Sequence, residues 1–243
     1  MAHKVIYRLS GLVQGIILER VNRFTISAII ENVKTYAHLT NTGKLNDVLV
    51  YGRTSLFKRI KGRKLEFRLI GVEDHGFYNI VDTITQNKIF ERLIEKRRIN
   101  KLSGCIILKR NPRVGSEVFD YILRCGDGEI LVETKSAVLR SNEAAMYPDC
   151  PSLRGRRQVS KLIELTKEGV RTLLVFISAL PHVKCFKPYY DGDPILYELI
   201  GKAYLNGVDI MALSMYMDLN GYIYIDDICL PLCKDWIDNI SSI

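Results

Sequence analysis

The amino-acid sequence predicts an α/β (α+β) protein in which a small N-terminal β-barrel is followed by a mixed sheet flanked by helices. Three observations lead to this prediction. Short strand-like runs fill the first 80 residues, helical periodicity begins near Thr83, and strand-like and helical segments alternate from there onward. At 243 residues the chain is long enough for one large or two small globular domains, and its 47% hydrophobic and 26% charged residues are typical of globular proteins.

The N-terminal part contains short apolar or alternating runs that are separated by polar turns such as Asn41-Thr42-Gly43. The predicted strands cover residues 12–18, 24–30, 33–37, 65–72 and 77–81. Five short strands in so few residues are typical of an OB-like barrel, a small fold that binds oligonucleotides. We therefore predict an OB-like DNA-binding domain over residues 1–81.

The C-terminal part, residues 82–243, alternates helices and strands. Apolar residues at helical spacing predict helices over residues 84–98 and 156–168, and a third helix begins at the Asp193-Pro194 cap and ends at Gly207. The predicted strands are 105–108, 118–123, 130–137, 172–177, 208–213 and 222–225, with a polar, proline-containing loop over residues 141–153. The run 172–177 is apolar on both faces, which indicates a buried central strand.

The basic residues are distributed unevenly along the chain. The formal net charge is +8, and residues 1–80 alone hold 13 Lys and Arg against six Asp and Glu. This asymmetry indicates a partner that carries phosphates, and we predict nucleic acid. No apolar run reaches the roughly 18 residues of a membrane-spanning helix, so no membrane partner is expected. The N-terminus lacks a secretory signal, which predicts a cytoplasmic protein.

Several familiar motifs are absent. The sequence contains no phosphate-binding P-loop, no dinucleotide-binding glycine pattern, no Gly-x-Ser-x-Gly and no His-Glu-x-x-His. The six cysteines form no Cys-x-x-Cys pair, so we expect buried free thiols in place of a zinc site.

One predicted hairpin brings charged residues together. Asp120 precedes the turn Gly126-Asp127-Gly128, and Glu133 and Lys135 follow it. Because side chains alternate along a strand, Glu133 and Lys135 project from one face. Two carboxylates supply the oxygen ligands that Mg²⁺ prefers, and an ammonium beside them can hold a water or stabilise charge on phosphorus. The alternative is a surface salt bridge across the hairpin.

This order of elements, with Asp120 on the second strand and Glu133-x-Lys135 on the third, resembles the PD-(D/E)XK nuclease superfamily. Further stretches make the chain similar to the sugar fermentation stimulation protein A family. These are Arg23-Phe24, His38-Leu-Thr-Asn-Thr-Gly-Lys44, Asn87-Lys-Ile-Phe-Glu91, Val132-Glu-Thr-Lys135, Tyr147-Pro-Asp149 and Arg154-Gly-Arg-Arg157.

The resemblance implies an N-terminal OB-like domain and a PD-(D/E)XK nuclease-like C-terminal domain, with DNA binding as their shared property. It implies that Asp120 and Glu133 hold Mg²⁺ (or Mn²⁺) and that Lys135 serves the attacking water. It also implies that Glu91, on the first helix, is an accessory acidic residue.

Nucleic-acid contacts are predicted in three places. The run 58–64 holds five basic residues in a loop that could track phosphates, and an ordinary solvated turn is the alternative. The family-like stretches add residues on the barrel, where Lys44 stands in place of a common arginine, and on the helix after the hairpin. The predicted contacts are Arg23, Phe24, Lys44, Lys58, Arg59, Lys61, Arg63, Lys64, Arg156 and Arg157.

Together these features predict a DNA-binding protein with a Mg²⁺-dependent phosphodiesterase site of the endonuclease type. The alternative is a non-catalytic DNA-binding transcriptional regulator of sugar metabolism. DNA is the preferred polymer, but RNA remains open because a barrel and a basic groove serve both. The sequence leaves the choice between a monomer and a homodimer open.

Overall fold

The computed structural model describes residues 4–61 and 64–240 of the chain, which form 18 strands and four α-helices. The strands are β1 (Lys4–Arg8), β2 (Leu12–Asn22), β3 (Thr25–Ile30), β4 (Val33–His38), β5 (Thr54–Arg59), β6 (Phe67–Asp74), β7 (Phe77–Ile80), β8 (Ile106–Arg110), β9 (Arg113–Val114), β10 (Glu117–Val118), β11 (Tyr121–Cys125), β12 (Gly128–Ser136), β13 (Leu139–Ser141), β14 (Ala144–Tyr147), β15 (Thr172–Ser178), β16 (Cys185–Pro188), β17 (Asp209–Met217) and β18 (Tyr222–Leu230). The helices are α1 (Thr83–Glu95), α2 (Leu153–Lys167), α3 (Pro194–Leu205) and α4 (Lys234–Ile240).

The N-terminal strands form a small closed barrel in the order β4-β3-β2-β5-β6, and a short parallel pairing of β4 with β6 closes it. Side chains that alternate toward the inside, among them Ile26, Ala28 and Phe57, are fully buried. The predicted OB-like barrel is thus confirmed. The first strand, β1, pairs instead with β18 of the C-terminal part.

Strand β5 was not predicted. Lys58 and Arg59 are its last residues, so the interpretation of residues 58–64 as one basic loop is wrong at these two positions. The short apolar stretch before them is a strand only because β2 and β6 pair with it on either side. Arg63 lies outside the described residues.

The second sheet continues from β7 in the order β7-β17-β15-β12-β11-β8. Its central strands β12, β15 and β17 run parallel, whereas β11 and β8 are antiparallel, so the predicted mixed sheet is confirmed. All seven residues of β15 are buried, as its apolar sequence predicted. Side chains alternate between two cores. Val132 and Val175 face the core shared with α1, and Leu131 and Leu174 face the core shared with α2 and α3.

Each of the three predicted helices is present and has a polar N-cap. The side chains of Asp82, Ser152 and Asp193 accept backbone hydrogen bonds at the starts of α1, α2 and α3. Helix α2 begins three residues earlier than predicted because Ser152 caps it. Within the described residues no helix has the length and apolar character to cross a bilayer.

A third sheet, in the order β13-β14-β16, includes strand β14, which lies within the predicted polar loop 141–153. Strand β14 is four residues long and pairs with β16, with Ala144 opposite Cys185. The stability of such a short strand depends on a partner that is distant in sequence, so local periodicity does not reveal it.

The expectation of free buried cysteines is wrong for four of the six. Disulfides join Cys105 to Cys125 and Cys185 to Cys233, across sequence separations of 20 and 48 residues. The antiparallel pairing of β8 with β11 brings the first pair together, and a bridge between Phe186 and Leu232 lies beside the second. Neither pairing is visible in the spacing of the cysteines.

We predict that changing Cys185 and Cys233 together to alanine lowers the free energy of unfolding by about 3–4 kcal/mol, because the disulfide closes a long loop and restricts the unfolded chain. Urea unfolding without reductant measures the effect. The change Cys229→Ala is the matched control, since that cysteine is free and exposed. Equal unfolding midpoints for the double variant and the parent would contradict the prediction.

Candidate functional site

Alternation along the central strand β12 decides which side chains meet. Leu131 faces α2, and therefore Glu133 and Lys135 also face α2, whereas Thr134 faces α1. The Lys135 ammonium donates a hydrogen bond to Gln158 of α2 at 2.6 Å, and the Thr134 hydroxyl lies 3.1 Å from the Asn87 amide oxygen of α1. The strand thus presents one charged pair toward α2 and one hydroxyl toward α1.

Glu133 and Lys135 form a buried ion pair. Their exposed fractions are 3% and 9%, and the Lys135 Nζ lies 2.7 Å from Glu133 Oε1. Gln158 orients the ammonium through its Oε1 and donates from Nε2 to the Val118 carbonyl at 2.7 Å. The second carboxylate oxygen, Glu133 Oε2, is buried and has no hydrogen-bond partner. This oxygen is therefore the least satisfied polar atom of the site.

Asp120 immediately precedes β11, the strand that pairs with β12. Its Oδ2 accepts hydrogen bonds from the Thr134 backbone amide at 2.7 Å and from the Thr134 hydroxyl at 2.6 Å. Both bonds go to the same oxygen, which leaves Oδ1 for another partner. The predicted convergence of Asp120, Glu133 and Lys135 on one cavity is present in the structure.

Burial dominates the electrostatics of the pair. Loss of solvation raises the pKa of Glu133 to about 7, and the charge of Asp120 adds to the rise while Lys135 opposes it. Burial is the largest influence on Lys135 and would lower its pKa, but the attractions of Glu133, Tyr147 and Asp120 and the hydrogen bond to Glu133 together outweigh it, so the pKa is raised. The lysine is thus an ammonium at neutral pH, while Glu133 lies close to its titration midpoint.

The three side chains line a cavity of about 890 Å³ between the barrel and the second sheet. The barrel contributes Arg23, Phe24 and the segment 40–43, and the opposite wall comes from residues 147–158. Two direct contacts hold the walls together: the Asn41 amide donates to the Ser136 hydroxyl at 3.1 Å, and the Leu45 backbone amide donates to the Asp149 carboxylate at 2.7 Å.

Asp82 also joins the barrel to helix α1. This buried carboxylate caps α1 through the Thr85 amide, accepts the Thr40 hydroxyl of the barrel at 2.9 Å and lies 3.2 Å from Arg68 of β6. Because Asp82 joins the barrel to α1, the position of the barrel wall is coupled to the position of Asn87 on that helix.

The structure brings some of the predicted site residues to the cavity and places others elsewhere. Asp120, Glu133, Lys135, Arg23, Phe24 and Arg157 line it. Arg157 also lies 2.8 Å from Glu117, whereas Lys44 does not line the cavity and lies beside Cys150. The guanidinium of Arg156 binds the buried Asp193 at 2.8 Å and so fastens α2 to α3.

The basic residues of the segment 58–64 that the structure describes do not line this cavity. Lys58 lies beside Tyr7, and Arg59 pairs with Glu31 and stacks on Phe67. Lys61 and Lys64 are exposed on the barrel.

Glu91 lies in a second cavity of about 290 Å³, where its carboxylate binds Arg110 at 2.8 and 2.9 Å. Asp120 and Asn87 line both cavities and thus stand where the two meet. Glu91 therefore shares the second cavity with Asp120 and does not line the cavity that contains Glu133.

Sequence reasoning missed Gln158 and Asn87. Gln158 lies on the buried face of α2 together with Leu162 and Leu165. A polar residue at a buried position of an amphipathic helix can be recognised in the sequence and indicates a functional or structural polar contact. Asn87 is only half-buried and offers no comparable signal.

We predict that Glu133→Leu lowers the free energy of unfolding by about 3–5 kcal/mol, because it leaves the buried Lys135 charge without its partner. The double change Glu133→Leu with Lys135→Met removes both charges and is expected to regain at least about 2 kcal/mol of that loss. Urea unfolding of the parent, both single variants and the double variant measures the coupling. Strictly additive effects would contradict it.

Comparison with known proteins gives concordant matches along the chain. The family model described as "SfsA N-terminal OB domain" matches residues 18–81, and "Sugar fermentation stimulation protein RE domain" matches residues 84–221. Two relatives are each described as a sugar fermentation stimulation protein homolog. The one from Pyrococcus furiosus is 50% identical over 214 residues, covering 88% of this chain and 93% of the relative. The one from Archaeoglobus fulgidus is 36% identical over 220 residues, covering 90% and 95%.

A solved structure, described as Pyrococcus furiosus SfsA in complex with Ca²⁺, superposes with a TM-score of 0.92 at 46% identity and covers 95% of this chain and 99% of that chain. Both domain matches, the two relatives and this structure agree. The chain belongs to the sugar fermentation stimulation protein family.

Proposed function

We propose that this protein is a cytoplasmic DNA-binding phosphodiesterase that uses Mg²⁺ or Mn²⁺ at Asp120 and Glu133. The observation that carries the proposal is the buried Glu133 Oε2 atom, which has no hydrogen-bond partner although its residue lines a polar cavity. A buried polar atom without a partner is costly, and a cation beside it supplies the missing interaction.

The donor atoms fit a hard divalent cation. Glu133 Oε2 and Asp120 Oδ1 are carboxylate oxygens that accept no hydrogen bond within the described residues. No group of three or more His, Cys, Asp or Glu side chains with metal-ligand proximity occurs in that part of the chain. Two carboxylates suit Mg²⁺, which keeps several waters and takes further oxygens from a substrate phosphate. The relative described with Ca²⁺ binds another ion that prefers oxygen.

A divalent ion bound there would acidify a water and shield the phosphodiester charge. The residues of the chain supply the remaining chemistry. The Lys135 ammonium, held by Glu133 and Gln158, lies where it can orient a water or stabilise the developing charge on phosphorus. Arg23, Arg154 and Arg157 line the cavity and bind the phosphates on either side. Glu91 fixes Arg110 beyond Asp120, where it adds a further phosphate contact.

A second function, DNA binding without catalysis, is favoured by one observation. Glu133 Oε1 is already bound by Lys135, so only one oxygen of that carboxylate is free and the ion has few protein ligands. If the ion binds too weakly, the same basic cavity serves a DNA-binding regulator of sugar metabolism. A cleavage assay separates the two functions.

We predict that the parent protein cleaves DNA with Mg²⁺ or Mn²⁺ and that Glu133→Gln, Asp120→Asn and Lys135→Met each lower the rate by at least about 100-fold, because each removes a group that stabilises the transition state. End-labelled DNA and RNA oligonucleotides of one sequence, resolved on denaturing gels, measure the rates. Faster cutting of RNA would contradict the preference for DNA.

The control for this assay is Glu129→Gln, an exposed glutamate on the same strand outside the cavity, which should retain the parent's rate. Residual cutting that is equal in the parent and all variants would identify a contaminating nuclease and leave the non-catalytic function.

We predict that Mn²⁺ binds more tightly as the pH rises. Burial raises the pKa of Glu133 to about 7, so protons compete with the ion below that pH and the affinity falls by up to about tenfold per pH unit. Above about pH 8 the carboxylate is ionised and the affinity levels off. Titration calorimetry at several pH values measures the profile. Glu133→Gln is expected to bind weakly and without this dependence, and a flat profile for the parent would contradict the assignment.

A further inference from the structure

We infer that the cavity accepts a single-stranded segment of DNA and excludes an intact duplex at the scissile phosphate. This inference rests on the proposed function and specifies its substrate. It follows from the depth of the charged pair, the two joined walls of the cavity and the aromatic side chain at its mouth.

The groups that must reach the phosphate lie deep. Glu133 and Lys135 expose only 3% and 9% of their surface, and Glu133 Oε2 is buried. A duplex carries its phosphates on a wide, stiff cylinder, whereas a single strand is narrow and its backbone bends freely. A recessed site therefore favours a strand whose backbone can bend toward Glu133 and Lys135.

The walls of the cavity are tied to each other. The Asn41–Ser136 and Leu45–Asp149 hydrogen bonds join the barrel segment to the second sheet and to the loop before α2. Any widening of the cavity would break both bonds and move the barrel away from Asp82, which binds Thr40. These contacts therefore fix the separation of the walls.

An aromatic side chain stands at the mouth. Phe24 is 50% exposed and lines the cavity, and the Arg23 guanidinium lies 5.6 Å from the centre of its ring. An exposed phenyl ring beside arginines is a stacking platform for an unpaired base, and stacking on aromatic residues is the usual way of holding single strands. Bases inside an intact duplex are already stacked on each other on both faces and offer Phe24 no face.

Side chains suited to contact a DNA strand lie on both sides of the site. On the barrel, Tyr36 lies on the outer face of β4 and is 50% exposed, and this face of an OB fold commonly carries oligonucleotides. Beyond Asp120, the second cavity provides Lys88 and Arg110. A strand that crosses Tyr36 and Phe24, places a phosphate at Glu133 and leaves past Arg110 uses each of these features.

Fluorescence anisotropy with EDTA present tests the inference without cleavage. A labelled single strand is expected to bind at least about tenfold more tightly than the blunt duplex of the same sequence. Phe24→Ala is expected to weaken single-strand binding about tenfold, which corresponds to the loss of one stacked base. Tyr51→Ala is the matched control, because Tyr51 is 77% exposed and does not line the cavity. Equal or tighter duplex binding, or an unchanged affinity of Phe24→Ala, overturns the inference.

Cleavage separates the two proposals. With Mg²⁺ or Mn²⁺, a duplex bearing a single-stranded tail is expected to be cut in the tail and at its junction, while the blunt duplex stays intact. Cutting of the blunt duplex at a rate equal to that of the tail overturns the inference and leaves the proposed function in place. If no DNA is cut but the single strand still binds preferentially and through Phe24, the phosphodiesterase proposal fails and the single-strand preference stands.

Discussion

The buried ion pair between Glu133 and Lys135 is the interaction on which the site depends. Removing two charges from water is expensive, and their mutual attraction compensates only where the geometry is good and the remaining polar atoms are satisfied. Strand β12 meets the first condition, because residues two apart on a strand share a face. Gln158 meets the second for the ammonium, whereas Glu133 Oε2 remains unsatisfied. The fold thus leaves this carboxylate oxygen without a hydrogen-bond partner, and its side chain lines the cavity that the substrate would occupy.

The barrel contributes one wall of this site. Asp82 caps α1, binds Thr40 and lies beside Arg68, so one buried carboxylate positions both the barrel and the helix that carries Asn87. The tip of the β2–β3 hairpin, with Arg23 and Phe24, therefore forms a wall of the cavity. The cavity at this junction is lined by residues of both domains, and neither domain forms it alone.

The position of positive charge is more informative than its total. The net charge of +8 predicted a phosphate-bearing partner, yet several of the arginines are used inside the protein. Arg156 binds Asp193, Arg68 lies beside Asp82 and Arg140 binds Asp74. These guanidiniums neutralise buried or half-buried carboxylates and fasten one element to another. Arg23 and Arg154 line the cavity, where the proposed function assigns them to phosphates.

The sequence by itself determined the elements with strong local signals. Periodicity and capping residues located three helices, the uniformly apolar run of β15 marked a central strand, and alternation placed Glu133 and Lys135 on one face. Only the tertiary structure decided what depends on contacts between distant segments. These features are the disulfide pairs, strand β5, the third sheet and the hydrogen bond between Gln158 and Lys135. They also include the different positions of Arg156, which binds Asp193, and Arg157, which lines the cavity. The physical reason is that local sequence encodes backbone preference and amphipathic faces, whereas the partner of a polar group is set by packing between residues far apart in the chain.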